Sequence, residues 1–73
     1  MSEKMEMMAD MVKSLAALLA ERYSEMTMEE ALATVFNSDT YRKIMDEQTH
    51  FYHQSPRYVF AFLEEELAKG KFE

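Results

Sequence analysis

FYHQSPRYVFAFLEEEL, residues 51–67, is the stretch that says most about how this chain folds, because five aromatic residues crowd its first twelve positions. Ser55 can accept a hydrogen bond from the free backbone N–H groups of a following helix, and proline is tolerated at the first helical position. A helix over residues 56–69 is therefore predicted, closed by Lys69 and Gly70. Its apolar residues keep the spacing of one helical face: Val59, Phe62, Leu63 and Leu67. We expect this stretch to be the hub of a small helical core.

Towards the N-terminus, apolar residues recur at alternating spacings of three and four, as in a helix that packs against another helix. They are Met5, Met8, Val12, Leu15, Leu19 and Met26. The pattern predicts a first helix over residues 2–24, and Met7, Met11 and Leu18 widen its apolar surface. Two interpretations stay open: a bundle that wraps two other helices around this one, or a homodimer. The predicted dimer interface is Met5, Met8, Met11, Val12, Leu15, Leu18 and Leu19.

Two further helices are predicted between these segments. Thr27 and Glu30 have the spacing of a capping box, which starts a second helix over residues 27–37. Its apolar face is Met28, Ala31, Leu32, Val35 and Phe36. A third helix follows over residues 39–53, with a kink or short break expected between Asp46 and Thr49, because threonine competes for backbone hydrogen bonds. The fold class is thus an all-α bundle of three to four helices, expected to be a dimer, with residues 1–73 as a single helical domain.

Composition limits the partners. Fourteen acidic and eight basic side chains give a net charge of −6, which disfavours nucleic acid or an anionic membrane and would steer a basic protein partner toward the chain. No apolar run approaches the roughly 18 residues of a membrane span. There is no cysteine, and the first residues do not resemble a secretory signal. A cytoplasmic location is therefore expected.

One group of residues has the spacing of a metal site. Glu47, His50 and His53 recur every three residues, and they would share one side of the third helix if that helix continued through them. Imidazole and carboxylate groups are reasonable ligands for zinc or iron. The competing interpretation, two partly exposed histidines beside an aromatic cluster, is favoured, because carboxylate-bridged di-iron bundles need two Glu-x-x-His elements.

Signals for catalysis are weaker. The serines each have a local explanation as capping or helix-surface residues, and a single glycine leaves no phosphate-cradling loop. Glu64, Glu65 and Glu66 are interpreted as solvated surface. We therefore expect no enzyme, no catalytic residue and no cofactor.

Three motifs carry a resemblance to known proteins: FNSDTY at 36–41, DEQT at 46–49 and YHQSPRYV at 52–59. Together they resemble the C-terminal half of a group of small bacterial all-helical proteins, some of them encoded in toxin–antitoxin-like neighbourhoods. The resemblance covers about residues 31–70 and brings no catalytic residue. It implies a bacterial cytoplasmic protein that binds another protein, such as a toxin, although the Met-rich first helix lies outside the shared pattern.

The sequence thus favours a non-enzymatic cytoplasmic protein–protein interaction module with an antitoxin-like role as its sharpest form. Its predicted partners are a second copy of the chain and a basic protein. The alternative is a metal-binding helical protein that uses Glu47, His50 and His53.

Overall fold

The computed structural model describes residues 2–69, which form four α-helices and no strand. The helices are α1 (Glu3–Arg22), α2 (Met28–Phe36), α3 (Asp39–Met45) and α4 (Pro56–Lys69). Two single-turn 3-10 helices, Glu47–Thr49 and Phe51–His53, join α3 to α4. The predicted all-α bundle is confirmed, while the predicted role of Gly70 at the end of α4 lies outside the described residues. Within residues 2–69, no helix has the length and apolar character needed to span a membrane.

Side-chain caps begin α2, α3 and α4 at the positions that the sequence predicts. The Thr27 hydroxyl accepts the Glu30 N–H at 3.1 Å, and the Glu30 carboxylate accepts the Thr27 N–H at 2.9 Å, so the capping box is confirmed. Ser38 accepts the Tyr41 N–H at 3.0 Å, and Ser55 accepts the Tyr58 N–H at 3.1 Å. Each cap satisfies backbone donors that have no partner inside the helix.

The break predicted between Asp46 and Thr49 is present, because α3 ends at Met45. The Thr49 hydroxyl lies within hydrogen-bonding distance of the Lys43 and Asp46 carbonyl oxygens, and Thr49 Oγ1 accepts the Phe51 N–H at 3.2 Å. Such bonds replace the regular helical ladder. The prediction of one helix over residues 39–53 therefore holds only as far as Met45.

His50 joins the two 3-10 helices with φ 59° and ψ 21°, the left-handed conformation. A β-carbon disfavours this region by about 1–2 kcal/mol, a cost that glycine avoids. We expect His50→Gly to be neutral or to stabilise the fold by up to about 1 kcal/mol, and His50→Val to destabilise it by at least about 1 kcal/mol. Chemical denaturation of both variants measures the difference. Equal stability of the two would show that residue 50 does not hold this conformation in solution.

The centre of the core is α1. It supplies six of the thirteen buried apolar residues of the described chain: Met8, Met11, Val12, Leu15, Ala16 and Leu19. The bundle interpretation of its wide apolar surface is the one observed, since α2, α3 and α4 all pack on α1. The expectation that residues 51–67 form the hub is wrong in part. Tyr52, Val59, Phe60 and Leu63 are buried there, but Tyr58 stays half exposed.

A side chain of α4 caps α3. Glu66 Oε2 accepts the Asp39 N–H at 2.6 Å, while Glu66 Oε1 accepts the Thr40 N–H at 2.9 Å and the Thr40 hydroxyl at 2.7 Å. Glu66 was interpreted as solvated surface, and that interpretation is wrong. The carboxylate is drawn to the first N–H groups of α3, where a negative charge is stabilised. The Glu66 carboxylate thus joins α4 to α3 through hydrogen bonds.

Candidate functional site

Most of the dimer interface predicted from the sequence lies inside the single chain. Five of its seven members are buried in the core: Met8, Met11, Val12, Leu15 and Leu19. Leu18 is half-buried and Met5 is 51 % exposed. The five core side chains pack on the chain's own α2, α3 and α4, so they are not available to a second copy without unfolding. Their burial argues against that part of the interface prediction. Heptad spacing cannot distinguish a neighbouring helix of the same chain from one of another chain.

The surface that stays apolar is a groove between α1, α2 and α3, called here the apolar groove. Its volume is ≈ 380 Å³. Its lining residues are Met5, Met8, Ala9, Val12, Lys13, Leu32, Phe36, Tyr41 and Met45. Met8 and Val12 are almost fully buried and form its floor, whereas Met5 and Phe36 are each 51 % exposed at its edges. Large apolar side chains are thus left partly in water around one concave site.

The groove exists because the apolar stripe of α2 is wider than the surface that α1 covers. Ala31 and Val35 lie in the core, while Leu32, one position further round the helix, is half-buried and Phe36 is exposed. The Phe36 ring meets the Tyr41 ring edge-on, with 5.2 Å between the centroids. This contact, with the geometry that aromatic pairs favour, holds Phe36 at the groove's edge.

Helical spacing places two glutamates on the sides of α1 and α2 that carry groove residues. Glu29 lies three and seven residues before Leu32 and Phe36, on the same side of α2, and Glu6 has that relation to Ala9 and Lys13 on α1. Neither glutamate forms an ion pair within residues 2–69.

Among the described residues that line the groove, the one cation is Lys13, which lies 3.8 Å from the Asp10 carboxylate. Its charge is therefore partly offset by its neighbour.

A second hollow lies on the other side of α2. It measures ≈ 710 Å³ and is lined by Tyr23, Met26, Ala33, Thr34, Asn37, Arg42 and Leu67. Three of these side chains are polar, and Leu67 is two residues from the end of the described chain. The apolar groove is the better candidate because, within residues 2–69, its lining includes one charged residue, Lys13, beside large exposed apolar side chains.

The predicted metal ligands are not brought together. Their shared helix does not form, since α3 ends before them. The Glu47 carboxylate pairs with Lys4 at 2.9 Å, and the His53 ring lies 4.3 Å from the Tyr52 ring. The hydrogen bond to Glu47, reinforced by its negative charge, raises the pKa of Lys4 above its ordinary value.

The two imidazole rings of His50 and His53 are 6.1 Å apart between centroids. Within residues 2–69, no three histidine, aspartate or glutamate residues are grouped as a metal site would require. The metal-binding alternative therefore stays a prediction that the geometry does not support.

Comparison of the chain with protein-family models, with curated proteins and with solved structures found no match. The resemblance to small bacterial toxin–antitoxin-associated proteins accordingly stays a prediction.

Sequence periodicity did not predict the apolar groove. The available signal was the width of the α2 stripe, from Met28 through Leu32 to Phe36, which exceeds what one neighbouring helix can cover.

Proposed function

We propose that this protein is a non-enzymatic, cytoplasmic interaction module whose apolar groove binds an amphipathic, basic helix of another protein. The observation that carries the proposal is the exposure of Met5 and Phe36 on either side of one concave apolar site. A contiguous exposed apolar patch on a soluble protein commonly marks a binding surface. Covering it with a partner would remove this surface from water, which is favourable in proportion to the area buried.

A helix is the occupant that suits this shape. The groove runs between helices, and an amphipathic helix fills such a site with side chains spaced at i, i+3, i+4 and i+7. Three methionines line it: Met5, Met8 and Met45. Their flexible thioethers adapt to different apolar side chains, so the site tolerates some variety in what enters it.

The charges favour a basic partner over a second copy of this chain in the groove. By helical spacing, Glu6 and Glu29 lie on the same sides of α1 and α2 as groove residues, and neither forms an ion pair within residues 2–69. Lysine or arginine on the polar side of an incoming helix would complement them. A second copy placed groove to groove would bring its own Glu6 and Glu29 towards these carboxylates. Like charges across an interface lower affinity, and opposite charges accelerate association.

An antitoxin-like role is the sharper form of the same proposal. In that form the occupant is a basic toxin, and the groove neutralises it by covering a surface that the toxin needs. The acidic composition and the resemblance over residues 31–70 support this form. Its test is growth: the captured partner expressed alone should arrest cells, and co-expression of this chain should restore growth.

Phe36→Glu tests the groove directly. It places a charge at the groove's apolar edge, and we expect it to weaken partner binding by at least about tenfold, because apolar anchors dominate such interfaces. Ala33→Glu is the matched control, since it adds the same charge to an exposed position of α2 outside the groove. Both variants should stay folded, as judged by helical circular dichroism.

The measurement is capture from host lysate followed by titration of the purified partner in calorimetry. A basic protein bound by wild type and Ala33→Glu, lost with Phe36→Glu and cross-linked to α1 or α2 beside the groove, would support the proposal. A partner bound equally well by Phe36→Glu, or one that is acidic, would refute it.

A further inference from the structure

We infer that two copies of this chain pair through a surface formed by α1 and the start of α4, called here the α1/α4 face. Its residues are Ser14, Ala17, Leu18, Glu21, Pro56 and Arg57. This face shares no residue with the apolar groove. The inference therefore stands independently of the proposed function and concerns a different contact.

The first argument is charge. Five cations of the described chain each have a carboxylate partner: Lys4, Lys13, Arg22, Arg42 and Lys69. Two others, Lys43 and Arg57, have none within residues 2–69. Of these two, Arg57 borders the same hollow as Glu21, which also forms no ion pair in that part of the chain. One unpaired cation and one unpaired anion thus lie on one exposed face.

A two-fold axis makes these two charges complementary. In a symmetric dimer the same surface patch of each chain forms the interface. Any contact between one residue of the first chain and another residue of the second chain therefore occurs twice. If the axis passes near Leu18, Arg57 meets the partner's Glu21, and Glu21 meets the arginine of that second copy. The ion pair between Arg57 and Glu21, which does not form within one chain, then forms twice across the interface.

The second argument is shape and apolar character. Leu18 is half-buried, and Ala17 and Pro56 beside it are exposed and apolar. Two adjoining hollows of ≈ 560 and ≈ 440 Å³ share Leu18, Glu21 and Arg57 in their linings. The short side chains of Ser14 and Ala17 let another helix approach closely, as tight helix packing requires. A second α1 therefore fits against this face with Leu18 at its centre.

The consequence is a two-site assembly. Because the α1/α4 face and the apolar groove use separate parts of α1, the dimer leaves both grooves open. Only the Leu18 part of the interface predicted from the sequence belongs to this face.

Charge reversal tests the inference without disturbing the core, since Glu21 and Arg57 are both exposed. Wild type should sediment as a dimer of the 8.6 kDa chain. We expect Arg57→Glu and Glu21→Arg each to raise the dimer dissociation constant by at least about tenfold, because each places like charges opposite one another twice. The double variant, Glu21→Arg with Arg57→Glu, should recover the wild-type constant. Arg42→Glu, on α3, is the control and should leave it unchanged.

Sedimentation equilibrium over micromolar to submillimolar concentrations gives these constants, and circular dichroism verifies that each variant is folded. Recovery in the double variant would establish the contact between Arg57 and the partner's Glu21. A wild-type chain that stays monomeric throughout, a dimer indifferent to either single reversal, or a double variant that fails to recover would each overturn the inference.

Discussion

Leu15→Ala is expected to lower the free energy of unfolding by about 2–5 kcal/mol, the range for removing a leucine from a packed core. Leu15 is 0 % exposed and lies on the central helix among side chains from the rest of the bundle. The variant loses buried apolar surface and leaves a cavity that neighbouring side chains fill only in part. Since small domains are stable by about 5–15 kcal/mol in total, this single change removes a large share.

Urea denaturation followed by circular dichroism, at two protein concentrations, measures the effect. Met5→Ala is the control, because Met5 belongs to the same helix but is half exposed; its loss should change stability by less than about 1 kcal/mol. If Leu15 instead lay at a dimer interface, as the heptad pattern alone suggested, Leu15→Ala would dissociate a dimer and leave a stable folded monomer. That result would contradict the burial described above.

Glu66→Ala should be the second most damaging change, costing about 2–3 kcal/mol. The substitution removes every acceptor that α4 offers to the Asp39 N–H, the Thr40 N–H and the Thr40 hydroxyl. Hydrogen bonds to a charged group are worth about 1.5–3 kcal/mol each, and part of that is recovered here because water reaches the exposed Asp39 N–H. The loss should concentrate in α3, whose first turn then has fewer partners.

Two variants calibrate this prediction. Glu66→Gln keeps one carbonyl oxygen and should fall between wild type and Glu66→Ala. Glu65→Ala removes the neighbouring carboxylate, which makes an exposed ion pair with Lys69 at 3.2 Å, and should cost less than about 1 kcal/mol. Hydrogen exchange should show faster amide exchange at Asp39 and Thr40 only in the Glu66 series. Equal effects of Glu65→Ala and Glu66→Ala would mean that the cap contributes nothing.

Local features of the fold were predictable from the sequence because their partners lie within six residues. The Thr27–Glu30 box and the serine caps depend on spacing alone, and the proline at position 56 starts α4 as expected. The break after Met45 follows from the competition by Thr49. These local interactions stabilise one backbone conformation, whatever the packing of the rest of the chain.

Features that depend on three-dimensional packing were not predictable in the same way. Glu66 sits among three consecutive glutamates, and only the position of α3 in space distinguishes it from Glu65. Likewise, the spacing of Leu15 and Leu18 marks both as apolar, but which of them faces the chain's own helices depends on how α2 and α4 pack. The apolar groove arises from the same cause, since α1 covers Val35 but not Phe36.

The central position of α1 has a consequence for biosynthesis. This helix leaves the ribosome before the segments that cover it, and 44 residues separate Leu19 from Leu63 on α4. At about 5–20 residues per second, about 2–9 s separate the synthesis of Leu19 from the synthesis of Leu63. During this time the apolar residues of α1 are not yet covered by α4. During that interval α2, joined to α1 by a turn of five residues, is the first of the neighbouring helices to become available. The nascent chain therefore passes through an intermediate in which α1 and α2 expose apolar surface. A chaperone that recognises exposed apolar helices would bind this intermediate until α4 has been synthesised.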